Sequence, residues 1–299
     1  MQKYKNIIKN IAEYKNIPLS QSYLICSEDS LLNELFVRFY IESLINKFES
    51  ADIINLPEKE KITVADIDYL TTTALISPLE LSHKYYIIKN GDSMQDAAAN
   101  KLLKTLEEPP SSAKIFILVS NERVVLPTIR SRCAVINLSL PNEADLLNVL
   151  DDKNPNYILS KEVSLGSLTR LEGMLNGEYN DIFETVFQML LYMRSSSHIL
   201  NYSSKFTQHK DNIDKLLWSL DFVLHQVLKY NLSQELNFKS RHKDVSIIAE
   251  FYCVDTILRL KPVIEKAHKR LAVYGNVQSI IDELLFSILE VRQKCNKQN

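Results

Sequence analysis

The chain has 299 residues, with 35 Lys and Arg against 37 Asp and Glu, a net charge of −2, and 45% hydrophobic and 24% charged residues. This is the composition of an ordinary soluble protein with room for two or three compact domains. It excludes a protein that holds DNA chiefly through a basic excess of its own, so any nucleic-acid contact must be local or shared with partners. Only five glycines are present, which argues against phosphate-cradling glycine loops, since those need positive φ and close backbone approach. The four cysteines, Cys26, Cys133, Cys253 and Cys295, form no CxxC pair, and neither a zinc knuckle nor a disulfide framework is expected. No secretory signal and no long apolar run stands in the sequence, so a cytoplasmic protein without membrane contact is expected.

Residues 4–16 read as a short amphipathic helix with Tyr4, Ile7, Ile8 and Ile11 on one face. Tyr23–Cys26 fits a first buried strand. Asp29 or Ser30 can cap the helix after it, with Leu31, Leu32, Leu35, Phe36, Phe39, Tyr40 and Leu44 as its apolar side. Asp52–Leu56 is a second strand, and Val64–Leu75 a helix pointing Ile67, Leu70 and Leu75 inward. From Lys84 to Leu138 come three β-branched or aromatic runs, Tyr85–Ile88, Ile115–Val119 and Ala134–Leu138. A helix starting at Asp92 or Ser93 and stopped by Pro109 and Pro110 separates the first two. Strand, helix, strand, connection, strand predicts a parallel sheet over residues 1–140. Residues 142–178 give short helical pieces punctuated by Gly166, Gly173 and Gly177. Beyond Tyr179 strand patterns vanish. Wide apolar stripes at Ile213–Leu228 and Val277–Leu289 predict long helices of a bundle.

Asn100–Pro110 (NKLLKTLEEPP), Ile115–Asn121 (IFILVSN) and Leu126–Cys133 (LPTIRSRC) stand in one order within some 35 residues. In these three motifs the chain resembles the AAA+ clamp-loader family of bacterial replication machinery. The likeness extends thinly through ITVADIDYL at Ile62–Leu70 and VQSIIDELL at Val277–Leu285. It implies an AAA+ type α/β domain at 1–140, a small helical lid at 141–178 and a C-terminal helical collar for oligomerisation at 179–299.

Two departures from the family bear on activity. Where a P-loop would read GxxxxGK[ST], Ser27–Glu34 reads SEDSLLNE. It has no glycine or lysine, and Glu28, Asp29 and Glu34 would repel a triphosphate. The acid pair expected after Tyr85–Ile88 is replaced by Lys89-Asn90, which removes the Mg²⁺ anchor. The family's four-cysteine zinc module is also missing between residues 40 and 84. No cofactor is therefore expected, neither an ATP site of its own nor zinc.

What remains is the Ser131-Arg132-Cys133 motif. The resemblance implies that Arg132 acts in trans as an arginine finger on the ATP of a neighbouring gamma/tau subunit. The implied partners are gamma/tau and delta subunits and, through their complex, the sliding clamp and primer–template DNA. Two alternatives stand beside this reading: a divergent gamma/tau-like ATPase and a clamp-opening delta subunit.

Other residues have plainer readings. Arg130 is structural, Cys133 a buried strand residue, and Ser120-Asn121 a loop cap. Ser167 caps a helix beside Thr169-Arg170, and Glu107-Glu108 end theirs and pack on a neighbour. The cluster Lys261, Lys266, Lys269 and Arg270 reads as a solvated helix face, and the histidines show no metal-ligand pairing.

Overall fold

The computed structural model describes residues 2–13, 17–45, 48–57, 61–233, 236–272 and 276–296. These divide into two compact units, Met1–Asp151 with Leu165–Arg170, and Asp152–Ser164 with Leu171–Asn299. No helix among them is long and apolar enough to cross a membrane.

The first unit alternates helices and strands. They are α1 (Lys5–Glu13), β1 (Ser22–Cys26), α2 (Ser30–Ile45), β2 (Ile53–Leu56), α3 (Val64–Ala74), β3 (Lys84–Ile88), α4 (Asp96–Glu107), β4 (Ala113–Val119), α5 (Pro127–Arg130), β5 (Ala134–Asn137) and α6 (Glu143–Leu147). The five strands form one sheet in the order β2-β3-β4-β1-β5, every pair parallel. β1 lies between β4 and β5 and is wholly buried. That explains its unbroken apolar run, because a strand covered on both faces has no side to make polar. On one face Leu24, Tyr86, Ile115 and Ile117 pack against Ile67, Leu70, Leu102 and Ile129 from the helices. On the other, Tyr23 stacks on Phe116 at 5.0 Å, with Tyr40 of α2 edge-on to both.

Several expectations need correction. Leu75 is 79% exposed because α3 ends at Ala74 and Leu75 is only its cap. Leu44 lies outside the buried stripe of α2, which runs through Asn33, Val37 and Ile41 instead. Neither Asp92 nor Ser93 caps α4. They sit in a separate 3₁₀ turn, Gly91–Ser93, and Gln95 is the N-cap residue. Residues 14–16 of the first expected helix lie outside the described residues.

Helix α7 (Tyr157–Val163) belongs to the second unit, while α8 (Leu168–Leu175) starts in the first and ends in the second. The second unit continues with α9 (Asn180–Tyr192), α10 (Ser196–Gln208), α11 (Ile213–Ser233), α12 (His242–Phe251), α13 (Val254–Ala272) and α14 (Val277–Asn296). Its core carries the two predicted stripes, Leu216, Leu217, Leu220 and Val227 on α11 and Ile281, Leu284, Leu285 and Ile288 on α14. Phe183, Trp218, Phe222 and Phe238 form an aromatic cluster inside it, with Trp218 stacked on Phe222 at 5.4 Å. The chain thus holds a parallel α/β unit and an all-helical unit that runs to the last described residues.

Candidate functional site

In an open parallel sheet, ligands bind outside the carboxyl ends of the strands. Here those ends carry Ser27 after β1, Lys89-Asn90 after β3 and Ser120 after β4, and they line one cavity together with Glu28, Asn33, Glu34 and Asp92. It holds about 70 Å³, whereas small-molecule sites usually offer roughly 300–1,000 Å³; an open cavity of about 550 Å³ adjoins it, sharing Ser27, Glu28 and Ser120 and lined also by Glu122, Arg123 and Asn137. Side chains of the smaller cavity bond to its own walls. Lys89 Nζ donates to Glu34 Oε2 at 2.6 Å. Asn33 Nδ2 donates to the carbonyls of Ser27 and Val119 at 3.2 and 3.0 Å. The amide of Ser120 donates to the carboxylate of Asp92.

The three carboxylates expected to repel phosphate do not act as a set. Glu34 is paired with Lys89. Asp29 is 1% exposed and does not line the cavity. It caps α2 through the Leu32 amide at 2.8 Å. It also accepts from the Ser167 hydroxyl, the Thr169 amide at 3.0 Å and the Thr169 hydroxyl at 2.8 Å. The Thr169 hydroxyl in turn accepts the Leu31 amide at 3.2 Å. The turn that would cradle a phosphate is thus fastened to segment 165–170 by a built-in anion. Ser167 does take the expected cap position, accepting the Arg170 amide at 3.1 Å. Asp29→Asn keeps one acceptor for Leu32 but turns a donor toward groups that need an acceptor. The Thr169 amide should then exchange with solvent about 10-fold faster, the scale of one charged hydrogen bond. Hydrogen-exchange mass spectrometry of segment 165–170 checks this, and unchanged protection would rule out the fastening role.

Arg132 sits at the other end of the sheet. Leu126 leads into Pro127 at the first position of α5, where a missing amide hydrogen costs nothing. With only four residues, α5 leaves its last carbonyls without helical partners. Thr128 O accepts from Ser131 Oγ at 3.1 Å and from Arg132 Nη1 at 2.9 Å. Nη1 also reaches Ser131 Oγ at 3.3 Å, and Nη2 reaches Glu107 Oε1 at 2.5 Å. Glu107 is the last residue of α4, which stops there because Pro109 pushes Glu108 out of helical geometry. Cys133 is half-buried, and burial, then nearby Cys26, pushes its thiol up to about 12. Arg130 is exposed.

The register fixes the separation of these two places. Ala134 pairs with Tyr23 and Asn137 with Cys26. Ser27 therefore follows the carboxyl end of β1, while Arg132 precedes the amino end of the adjacent, parallel β5. Arg132 is thus level with Gln21, six residues before Ser27, which puts them on the order of 20 Å apart along the strand direction. The guanidinium is also held on the α4–α5 side by Glu107 and Thr128.

Elsewhere, Asn121 caps the next turn through the Arg123 amide at 2.9 Å. In the basic cluster, Lys266 pairs with Glu283 at 2.7 Å and Arg270 pairs with the same carboxylate. Sequence reasoning missed two links, Arg132 to Glu107 and Asp29 to Ser167 and Thr169. Their partners lie 25 and about 140 residues apart, beyond the reach of any local pattern.

A family model described as DNA polymerase III, delta subunit, matches residues 42–142. The delta' subunit of DNA polymerase III from Haemophilus influenzae is 32% identical over 157 residues, 50% of this chain and 46% of that protein. The gamma subunit from Buchnera aphidicola is 27% identical over 144 residues, 48% of this chain and 37% of that protein. The chain thus spans less than half the length of either relative. A solved structure of a gamma subunit-related protein from Thermotoga maritima aligns over 97% of the chain at 20% identity, with a TM-score of 0.49.

Proposed function

We propose that this clamp-loader delta-prime-like chain is a non-ATPase subunit of a DNA polymerase III clamp loader that lends Arg132 to the ATP site of an adjoining gamma/tau subunit. The observation that carries the reading is the placement of the two half-sites. At the carboxyl ends of the strands, the cavity between β1, β3 and β4 is small and crossed by Lys89 and Glu34, and the larger open one beside it presents Glu28 and Glu122 and no lysine. Arg132 stands at the opposite end of the sheet, on the order of 20 Å away, so it can serve only a phosphate brought by another molecule. A guanidinium suits that task. Charge develops on the oxygens of the transferring phosphoryl group, and a planar fork matches them where an ammonium would not.

In this reading the helical unit from Tyr179 onward is the collar that joins the chain to gamma/tau and delta subunits. The chain needs neither nucleotide nor metal of its own. Through the complex it takes part in placing the sliding clamp on primer–template DNA, as a largely rigid stator.

Equilibrium dialysis of the isolated chain against Mg-ATP tests the non-ATPase part. The expected result is no saturable binding up to millimolar nucleotide. Saturable micromolar binding would favour a divergent gamma/tau-like ATPase, and tight binding of the isolated chain to the sliding clamp would favour a delta-type subunit.

A further inference from the structure

We infer that Glu107 is a built-in competitor for the Arg132 guanidinium, which a nucleotide phosphate must displace before the arginine engages. The inference rests on the finger reading of Arg132. Its ground is the way the guanidinium is held. A guanidinium can present two parallel N–H groups to a phosphate through Nη1 with Nη2, or through Nε with Nη2. Nη1 already serves Thr128 O and Ser131 Oγ, and Nη2, common to both forks, serves Glu107 Oε1 at 2.5 Å. The carboxylate also cancels the charge a phosphate would seek and would repel its oxygens.

Exposure makes the contact releasable. The Arg132 and Glu107 side chains are 32% and 50% exposed, and pairs of that kind hold weakly in water. A triphosphate with its Mg²⁺, presented by a close-fitting neighbour, brings more charge and more acceptor oxygens than one carboxylate. The neighbour's site therefore competes for an arginine that is already engaged, and only the fraction released is competent to bind. Such a device acts on the affinity term. It raises the nucleotide concentration needed for half-maximal hydrolysis and leaves the rate at saturation unchanged.

The test uses the complex reconstituted with gamma/tau and delta subunits, with Mg-ATP as ligand and without clamp or DNA. The variants are Glu107→Gln, Arg132→Ala and the double variant. Glutamine keeps the size of Glu107 and removes its charge. Phosphate release is followed by rapid mixing, which isolates the one site Arg132 serves; there Glu107→Gln is expected to lower the KM for ATP about two- to five-fold, the weight of an exposed ion pair, with kcat unchanged. The double variant should match Arg132→Ala alone.

Two outcomes overturn the competitor role while leaving the finger reading intact. One is a fall in kcat at constant KM, which makes Glu107 an orienting residue. The other is a Glu107→Gln effect that is absent, or that persists in the Arg132→Ala background. If Arg132→Ala itself behaves as wild type, the finger reading fails, and this inference fails with it.

Discussion

Arg132→Ala is expected to leave assembly with gamma/tau and delta subunits intact while slowing hydrolysis at the one ATP site it completes by about 10³-fold or more, the usual weight of an arginine finger. Assembly should survive because the side chain closes no core. It is partly exposed, and its ties are one ion pair and bonds to Thr128 and Ser131. Losing them should cost the fold no more than about 1 kcal/mol. Because Arg132 would complete only one of several ATP sites in the proposed complex, the steady-state rate is a blunt readout. Rapid-mixing measurement of phosphate release, with clamp and primed DNA present, resolves one nucleotide per complex passing from the fast phase to the slow one. Arg132→Lys should be nearly as defective, since an ammonium is a point charge without the planar fork. Full activity in both variants would end the finger assignment.

The second large effect concerns the fold. Asp52, just before β2, is buried, and its carboxylate accepts the amides of Leu79 at 2.9 and 3.0 Å, Glu80 at 2.6 Å and Leu81 at 2.9 Å. One side chain thus holds the loop between α3 and β3. Asp52→Ala leaves three amides to find other partners. Each such loss costs about 1–3 kcal/mol when water cannot replace the acceptor. The loop is partly open, with Leu79 79% exposed, so a total of about 2–4 kcal/mol is expected. Urea denaturation followed in the α/β unit checks this, and a change below about 0.5 kcal/mol, ordinary for a surface site, would refute it.

The same carboxylate sets a pH dependence. Burial works to raise its pKa, but the three amides and the Lys84 ammonium outweigh burial and hold it below the usual carboxylate value. A folded-state pKa below the unfolded one, about 3.9, contributes stability that is fully present above that unfolded value. It is lost as pH falls through the folded pKa. Wild type should therefore lose this increment on the acid side of about pH 4, and Asp52→Ala should show a flatter acid limb.

Much of the α/β unit was legible in the chain because a parallel sheet writes itself plainly. β1, β3 and β4 are buried on both faces and read as apolar runs, and Pro109-Pro110 marks where α4 must end. The errors arose where tertiary partners outrank local chemistry. Asp92 has a good capping side chain, yet it bonds the Ser120 amide across the cavity, and α4 starts later without a side-chain cap. Asp29 looked like one of three charges facing an absent phosphate. It is instead a buried anchor, because Ser167 and Thr169 offer it donors that solvent-facing Glu28 does not have. Arg132 could be singled out from its motif, but its distance from the chain's own pocket could not. That depends on the parallel register of β5 against β1, and a register is not written in any short run of residues.

The parallel register has one more consequence. A sheet with a pocket at one end and an arginine at the other has a direction, and subunits built this way join head to tail rather than face to face. In such a row each member receives an arginine from one neighbour and gives one to the next. Under the proposed function, a chain that lends Arg132 and binds no nucleotide of its own would only give. On that reading it stands at the head of the row, a second copy of it could not follow in the series, and the working ATP sites number fewer than the subunits that form it.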